Sequence, residues 1–135
     1  MQSVKEFSWP VRVYYEDTDA GGVVFYANYL KFFERARTEM LRSYGFEQDR
    51  LLEQDNVIFV VRSVTIDYLK PARFNEQVLV NAKIIENKKT TLTFEQTVTR
   101  QHDLLCSGKV RIACLDAQSM KPTLIPVAIL EQLNQ

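Results

Sequence analysis

YYEDTDAGGVVFYANY, residues 14–29, decides how this chain is read. Glu16, Asp17 and Asp19 crowd three carboxylates together, just before Gly21 and Gly22. Carboxylates so close repel one another, and any that is shielded from water holds its proton more tightly than a free one. The two glycines let backbone approach a ligand closely, or adopt a positive φ that bulkier residues resist. An amphipathic segment starts just beyond them. A helix there would aim its free N–H groups, and the positive end of its dipole, at the same spot. A base, a tight turn and donors able to polarise an electrophile thus fall within one short stretch. That is the layout of a hydrolytic site, with Asp19 nearest to both the turn and the helix start.

Upstream, Phe7, Trp9, Val11, Val13 and Tyr15 alternate with more polar neighbours, the period of a strand with one buried face. Pro10 interrupts that run, so the strand begins near it or lies at a sheet edge. Downstream the period changes. Tyr29, Phe33, Ala36, Met40 and Tyr44 recur at helical spacing and define one face of a helix over residues 27–44. Gly45 follows in the position where glycine ends a helix. Beyond it come Val64, Ile66 and Tyr68; then Val78, Val80, Ala82 and Ile84; then Leu92, Phe94, Gln96 and Val98; then Cys106, Gly108, Val110, Ile112 and Cys114. Turns are expected at residues 71–76, at Asn87-Lys88-Lys89 and at Gln101-His102-Asp103. Strands joined in this way suggest an antiparallel meander whose apolar face needs a cover. The only large amphipathic helix available is 27–44. The expected class is therefore α+β: a curved, five-stranded antiparallel sheet wrapped around one long central helix. Pro126 opens a short C-terminal helix over Val127–Leu133.

The bulk numbers exclude several classes. A chain of 135 residues reads as a single domain over 1–135, with a core that needs neither disulfide nor metal. Apolar residues make up 46% and charged residues 25%, ordinary for a globular protein. A net charge of zero argues against a nucleic-acid partner. No apolar run is long enough to span a bilayer, and residues 1–7 lack the pattern of a secretory signal. Cys106 and Cys114 fall on one strand, too far apart for a bridge, which fits a reducing cytoplasm.

With these residues in view, a resemblance can be stated. VYYEDTDAGGVVFYANY (13–29), with FFERARTEML (32–41) on the helix, resembles the hotdog-fold acyl-CoA thioesterases. Within them the chain is most similar to the tol-pal-associated branch of the 4-hydroxybenzoyl-CoA thioesterase group. WPVRV (9–13), FVVR (59–62), KPAR (70–73) and MKP (120–122) extend the likeness nearly end to end. The resemblance implies hydrolysis of an acyl-CoA to free acid and CoA, with no metal or organic cofactor. It implies that Asp19 is the catalytic carboxylate, as general base toward water or as a nucleophile forming a mixed anhydride. It also implies an oxyanion donor from a backbone N–H at the helix N-terminus, that of Tyr26 or a near neighbour. Members of this branch usually carry a histidine where this chain has Tyr26, and a phenol is a poor base near neutral pH. Lys88 and Lys89 occupy the turn where relatives place basic residues near the CoA phosphates, with Arg62 and Arg73 as further candidates. A homodimer or homotetramer is implied, along with association with tol-pal, an acyl carrier protein or a membrane periphery.

Each residue also has a plainer reading. Glu16 and Asp17 suit turn polarity or helix capping. Gly21 and Gly22 suit a tight turn, and Lys88 and Lys89 a solvated hairpin. Glu34 is a rival carboxylate on the helix, more simply a partner for Arg35 or Arg37. His102 belongs at the surface, and the two cysteines and the Tyr29-to-Tyr44 stripe belong in the core. The alternative functions are an acyl-CoA hydratase or dehydratase on the same fold, or a non-enzymatic acyl carrier protein or membrane-complex partner whose pocket holds acyl chains without cleaving them.

Overall fold

A computed structural model describes residues 5–133. Strand β1 (Lys5–Arg12) leads through a 3-10 turn (Tyr15–Asp17) to helix α1 (Asn28–Ser43). A short helix α2 (Gln48–Arg50) and a π turn (Leu51–Asp55) precede β2 (Val57–Tyr68). Strands β3 (Gln77–Asn87), β4 (Thr91–Arg100) and β5 (Asp103–Asp116) follow, and α3 (Val127–Leu133) comes last.

Helix α1 forms where its apolar spacing requires it. Tyr29, Phe33, Ala36 and Met40 are buried, as are Phe32 and Leu41 beside them. Burying one such large side chain contributes about 1.5–3 kcal/mol. The helix ends as the sequence indicates. Gly45 takes φ +91°, its N–H donates to the Arg42 carbonyl at 2.9 Å, and the Phe46 N–H donates to that of Leu41 at 3.0 Å. These two bonds satisfy carbonyls that the end of a helix would otherwise leave open.

The sheet has five antiparallel strands in the order β1-β3-β4-β5-β2. Strands β3, β4 and β5 form the expected meander. Strand β2 departs from it, because it pairs with β5 rather than β3, from Val57 opposite Asp116 to Tyr68 opposite Cys106. The segment 71–76 is consequently a crossover between strands that are not neighbours. Alternation alone cannot separate a crossover from a hairpin, since both leave the period of the flanking strands intact. Strand β1 is an edge, which accommodates Pro10 in mid-strand opposite Leu79. It stops at Arg12, short of the expected run: Tyr15 lies in the 3-10 turn, and both Tyr15 and Trp9 are exposed. Residues 48–55 had no reading from the sequence.

The inner face of the sheet carries Val78, Val80, Ala82, Leu92, Phe94, Val98, Cys106, Val110 and Cys114 against α1, all buried. Two features set how closely the helix sits. Gly108 has no side chain, and a Cβ built there would meet the Thr65 carbonyl oxygen at 2.6 Å and the Phe33 ring at 3.2 Å. Gln96, fully buried in β4, accepts from Arg37 Nη1 at 2.9 Å and donates to the Phe33 carbonyl at 3.0 Å. Burial lowers the Arg37 guanidinium to about 10, so it remains charged at neutral pH. No described helix is long and apolar enough to cross a membrane.

Gly108→Ala is expected to destabilise the protein by about 1–3 kcal/mol through overpacking. Denaturant unfolding measures this, and an unchanged midpoint would show that α1 can give way there.

Candidate active site

The 14–29 stretch folds into a small hairpin that feeds directly into α1. Thr18 and Val24 bridge antiparallel, the Asp19 N–H donates to the Val23 carbonyl at 2.9 Å, and the Gly22 N–H returns to the Asp19 carbonyl at 3.0 Å. Gly22 takes φ +79°, which a side chain would resist. Gly21 serves the carboxylate directly. Its N–H donates to Asp19 Oδ1 at 2.8 Å, and a Cβ on it would come within 3.3 Å of that oxygen. Asp19 is exposed and forms no ion pair with any described residue.

Asp17 has the opposite environment. It is 4% exposed, and its Oδ2 accepts the Tyr14 N–H at 2.9 Å. Its plainer reading as a capping residue therefore describes what it does. Glu16 is exposed. The three carboxylates, adjacent in sequence, divide into one buried structural group and two at the surface.

Helix α1 begins with Ala27 as its N-cap, and no side chain caps it. The Asn28, Tyr29 and Leu30 N–H groups reach the carbonyls of Phe25, Tyr26 and Ala27 at 2.8, 3.3 and 3.2 Å. The Tyr26 N–H meets no acceptor among the described residues. A donor of that kind at the positive end of a helix is what an anionic oxygen requires.

Aromatic rings surround this helix start. Tyr26 is 61% exposed and Tyr68, at the end of β2, 42% exposed. Their rings meet edge to face at 5.9 Å, Tyr29 meets Tyr68 at 5.5 Å, and Phe25 meets Tyr26 at 4.7 Å. Burial raises the phenols of Tyr29 and Tyr68, so both stay protonated at neutral pH. The crossover 71–76 ties the region together. The Ala72 N–H donates to the Tyr29 hydroxyl at 3.0 Å, the Ala72 carbonyl accepts the Val24 N–H at 2.8 Å, and Glu76 anchors to Arg100 at 2.9 Å.

The remaining candidates lie elsewhere. Arg73 bridges Val23 through its backbone and is exposed beside the hairpin. Arg62 is exposed on β2 at a register shift between Val61 and Ser63. Lys88 and Lys89 occupy the β3–β4 turn, and Lys88 Nζ lies 3.7 Å from Glu86. They sit at the far end of the sheet from Asp19. Val78 pairs with Val11 near the hairpin, and Lys88 is ten residues further along, roughly 33 Å at strand rise. One chain alone does not bring Lys88, Lys89 and Asp19 together. Glu34 is exposed and makes no ion pair with Arg35 or Arg37, although its charge bears on Arg37. His102 is exposed in the β4–β5 turn. Among the described residues, no group of three or more His, Cys, Asp or Glu could hold a metal ion. The sequence reading missed Asn28, Tyr68 and the 71–76 anchor. Asparagine in place of an apolar residue at the helix start was the one available signal.

Residues 21–107 match the family model described as the thioesterase superfamily. The chain is 49% identical over 120 residues to the acyl-CoA thioesterase YbgC of Haemophilus influenzae, covering 89% of this chain and 88% of that one. It is 45% identical over 130 residues to the acyl-CoA thioester hydrolase YbgC of Escherichia coli O157:H7, covering 96% of each. Among solved structures, a probable thioesterase from Bartonella henselae superposes with a TM-score of 0.86 at 34% identity, over 90% of this chain and 100% of that one. A 1,4-dihydroxy-2-naphthoyl-CoA thioesterase from Synechocystis superposes at 0.88 with 20% identity, over 96% of each chain, a likeness of fold alone. The architecture is the hotdog fold.

Cys106 and Cys114 are buried in β5 and free. Burial pushes their thiols up to about 12 and about 11 respectively. Neither forms appreciable thiolate near neutral pH, and the thiolate is the reactive form. Both are expected to stay silent toward an aromatic disulfide reagent at pH 8 in the native protein and to react on denaturation. Rapid native labelling would contradict this burial.

Proposed function

The chain belongs to the thioesterase superfamily, and on that premise we propose that it hydrolyses acyl-CoA thioesters to a free carboxylic acid and CoA. One observation carries the reading. The Asp19 carboxylate stands exposed and without an ion pair on a two-glycine hairpin, whose second strand runs straight into the uncommitted Tyr26 N–H.

Thioester hydrolysis needs an attacking oxygen and a place for the negative charge that develops on the carbonyl oxygen. In this proposal the Tyr26 N–H receives that charge at the N-terminus of α1, where the helix dipole adds to it. One such donor is worth about 3 kcal/mol of barrier. Asp19 takes a proton from water as the water adds to the carbonyl carbon. Alternatively it attacks directly to give a mixed anhydride that water then opens. In either route the C–S bond breaks, CoA leaves as thiolate and takes up a proton, and the carboxylic acid is released. Gly21 keeps the carboxylate oriented through its N–H, and Gly22 turns the backbone so that the hairpin stays short. Tyr26 contributes its backbone rather than its phenol.

The CoA site completes itself in a second copy. Strand β2 is an outer strand of twelve residues, with Val61, Val64, Tyr68 and Leu69 exposed along or just past it. Soluble proteins rarely leave an apolar edge of this length open. A two-fold axis pairing β2 with its own copy in antiparallel fashion covers it. The same operation carries the Lys88–Lys89 turn and Arg62 of one copy toward the Asp19 end of the other. Those cations then serve the nucleotide phosphates of the partner's substrate.

Asp19→Asn is expected to leave a folded protein whose thiol release from acyl-CoA falls about 100- to 10,000-fold. Near wild-type turnover would remove Asp19 from the mechanism. Lys88→Ala combined with Lys89→Ala is expected to raise KM for CoA esters several-fold, more strongly at low salt because exposed charges are then less screened. A KM that does not move at any ionic strength would place the phosphates elsewhere.

A further inference from the structure

Asn28 opens α1 with its side chain turned back into the protein, and the residue is only 8% exposed. Asparagine at a helix start ordinarily accepts a hydrogen bond from a free backbone N–H. Here it donates instead. Its Nδ2 reaches the Asp17 carbonyl at 2.8 Å. That carbonyl also accepts the Phe25 N–H at 2.9 Å, and the Asn28 N–H in turn donates to the Phe25 carbonyl at 2.8 Å. Residues 17, 25 and 28 therefore close into a ring of three hydrogen bonds. The Asp19 hairpin projects from one side of this ring, and the Tyr26 peptide lies on the other between its two anchors.

We infer that Asn28 is a positioning residue for the reaction, its side-chain amide fixing the separation between the Asp19 carboxylate and the Tyr26 N–H. This rests on the assignment of those two groups as the reacting pair. Without the amide, only the backbone bonds of the hairpin, Phe25 N–H to the Asp17 carbonyl and Asp19 N–H to the Val23 carbonyl, join the carboxylate segment to the chain entering the helix. Both lie in the ladder of one short hairpin, which can tilt as a unit against α1, whereas a donor from a residue locked into the helix itself holds the hairpin to the helix. Reacting groups lose about 100-fold in rate when displaced by roughly 1 Å. On the proposed function, CoA is held by Lys88, Lys89 and Arg62 of a second copy, away from this ring, so its ground-state binding tolerates such a shift. The residue therefore acts on turnover and hardly on affinity.

The test compares Asn28→Ala and the isosteric Asn28→Asp, which both lack the donor, with Asn28→Ser, which retains one on a shorter arm. Thiol release gives kcat and KM, and calorimetry with a non-hydrolysable CoA thioether gives Kd. All are measured well below each variant's melting temperature. For Ala and Asp, kcat is expected to fall roughly 10- to 100-fold with Kd for the thioether within about two-fold of wild type, while Ser recovers part of kcat. Should either donor-less variant fail to fold, the other together with Ser still separates kcat from Kd. Wild-type kcat without the donor would overturn the inference, and so would a parallel loss of kcat and thioether affinity. Wild-type protein that releases no thiol from any acyl-CoA would instead overturn the underlying hydrolase reading.

Discussion

The distance between one helix and one sheet governs this structure. Phe33 packs close over Gly108, where a Cβ would crowd its ring at 3.2 Å and meet the Thr65 carbonyl oxygen at 2.6 Å. Gln96 then ties the helix to the sheet, its Oε1 accepting a hydrogen bond from Arg37 and its Nε2 donating one to the Phe33 carbonyl. A buried amide placed so must satisfy both its ends, because an unpaired polar group in the core costs about 1–3 kcal/mol. That demand limits the heights and rotations that α1 can take. Its first turn consequently arrives at a fixed place beside the crossover 71–76, where Tyr29 receives the Ala72 N–H.

The proposed chemistry rests on how that first turn is joined to the acidic stretch. Asp17 and Asp19 are two residues apart yet have opposite settings. Asp17 is folded inward, with its carboxylate on the Tyr14 amide and its carbonyl shared by Phe25 and Asn28. Asp19 is held outward by the Gly21 amide. The buried aspartate makes the exposed one reliable: a rigid base for a short hairpin, with the helix N-terminus tied to the same residue. Hydrolytic sites gain most when donors and bases are fixed before the substrate arrives, since no reorganisation is then needed during reaction.

Much of this was legible in the residues. The stripe from Tyr29 to Met40 and the stop at Gly45 located α1 to within about a residue at each end, because helical period and a positive-φ glycine are local signals. Strand identities were legible for the same reason. Strand order was not: β2 pairs with β5 across a crossover, and nothing in the alternation of Val64, Ile66 and Tyr68 states which partner they meet. The glycine hairpin around Asp19 could be read from residue types, as could the surface place of His102. The roles of Asn28 and Tyr68 could not, because each depends on a contact with a residue remote in sequence or on a side chain donating where accepting is usual.

The most direct measurement is a crystal structure with a CoA ester analogue in which a methylene replaces the reactive sulfur. The account predicts the acyl carbonyl oxygen within roughly 2.7–3.1 Å of the Tyr26 nitrogen, with the Asp19 carboxylate facing the carbonyl carbon directly or through one water. A carbonyl seated away from the helix start, or an Asp19 side chain turned from it, would contradict the account.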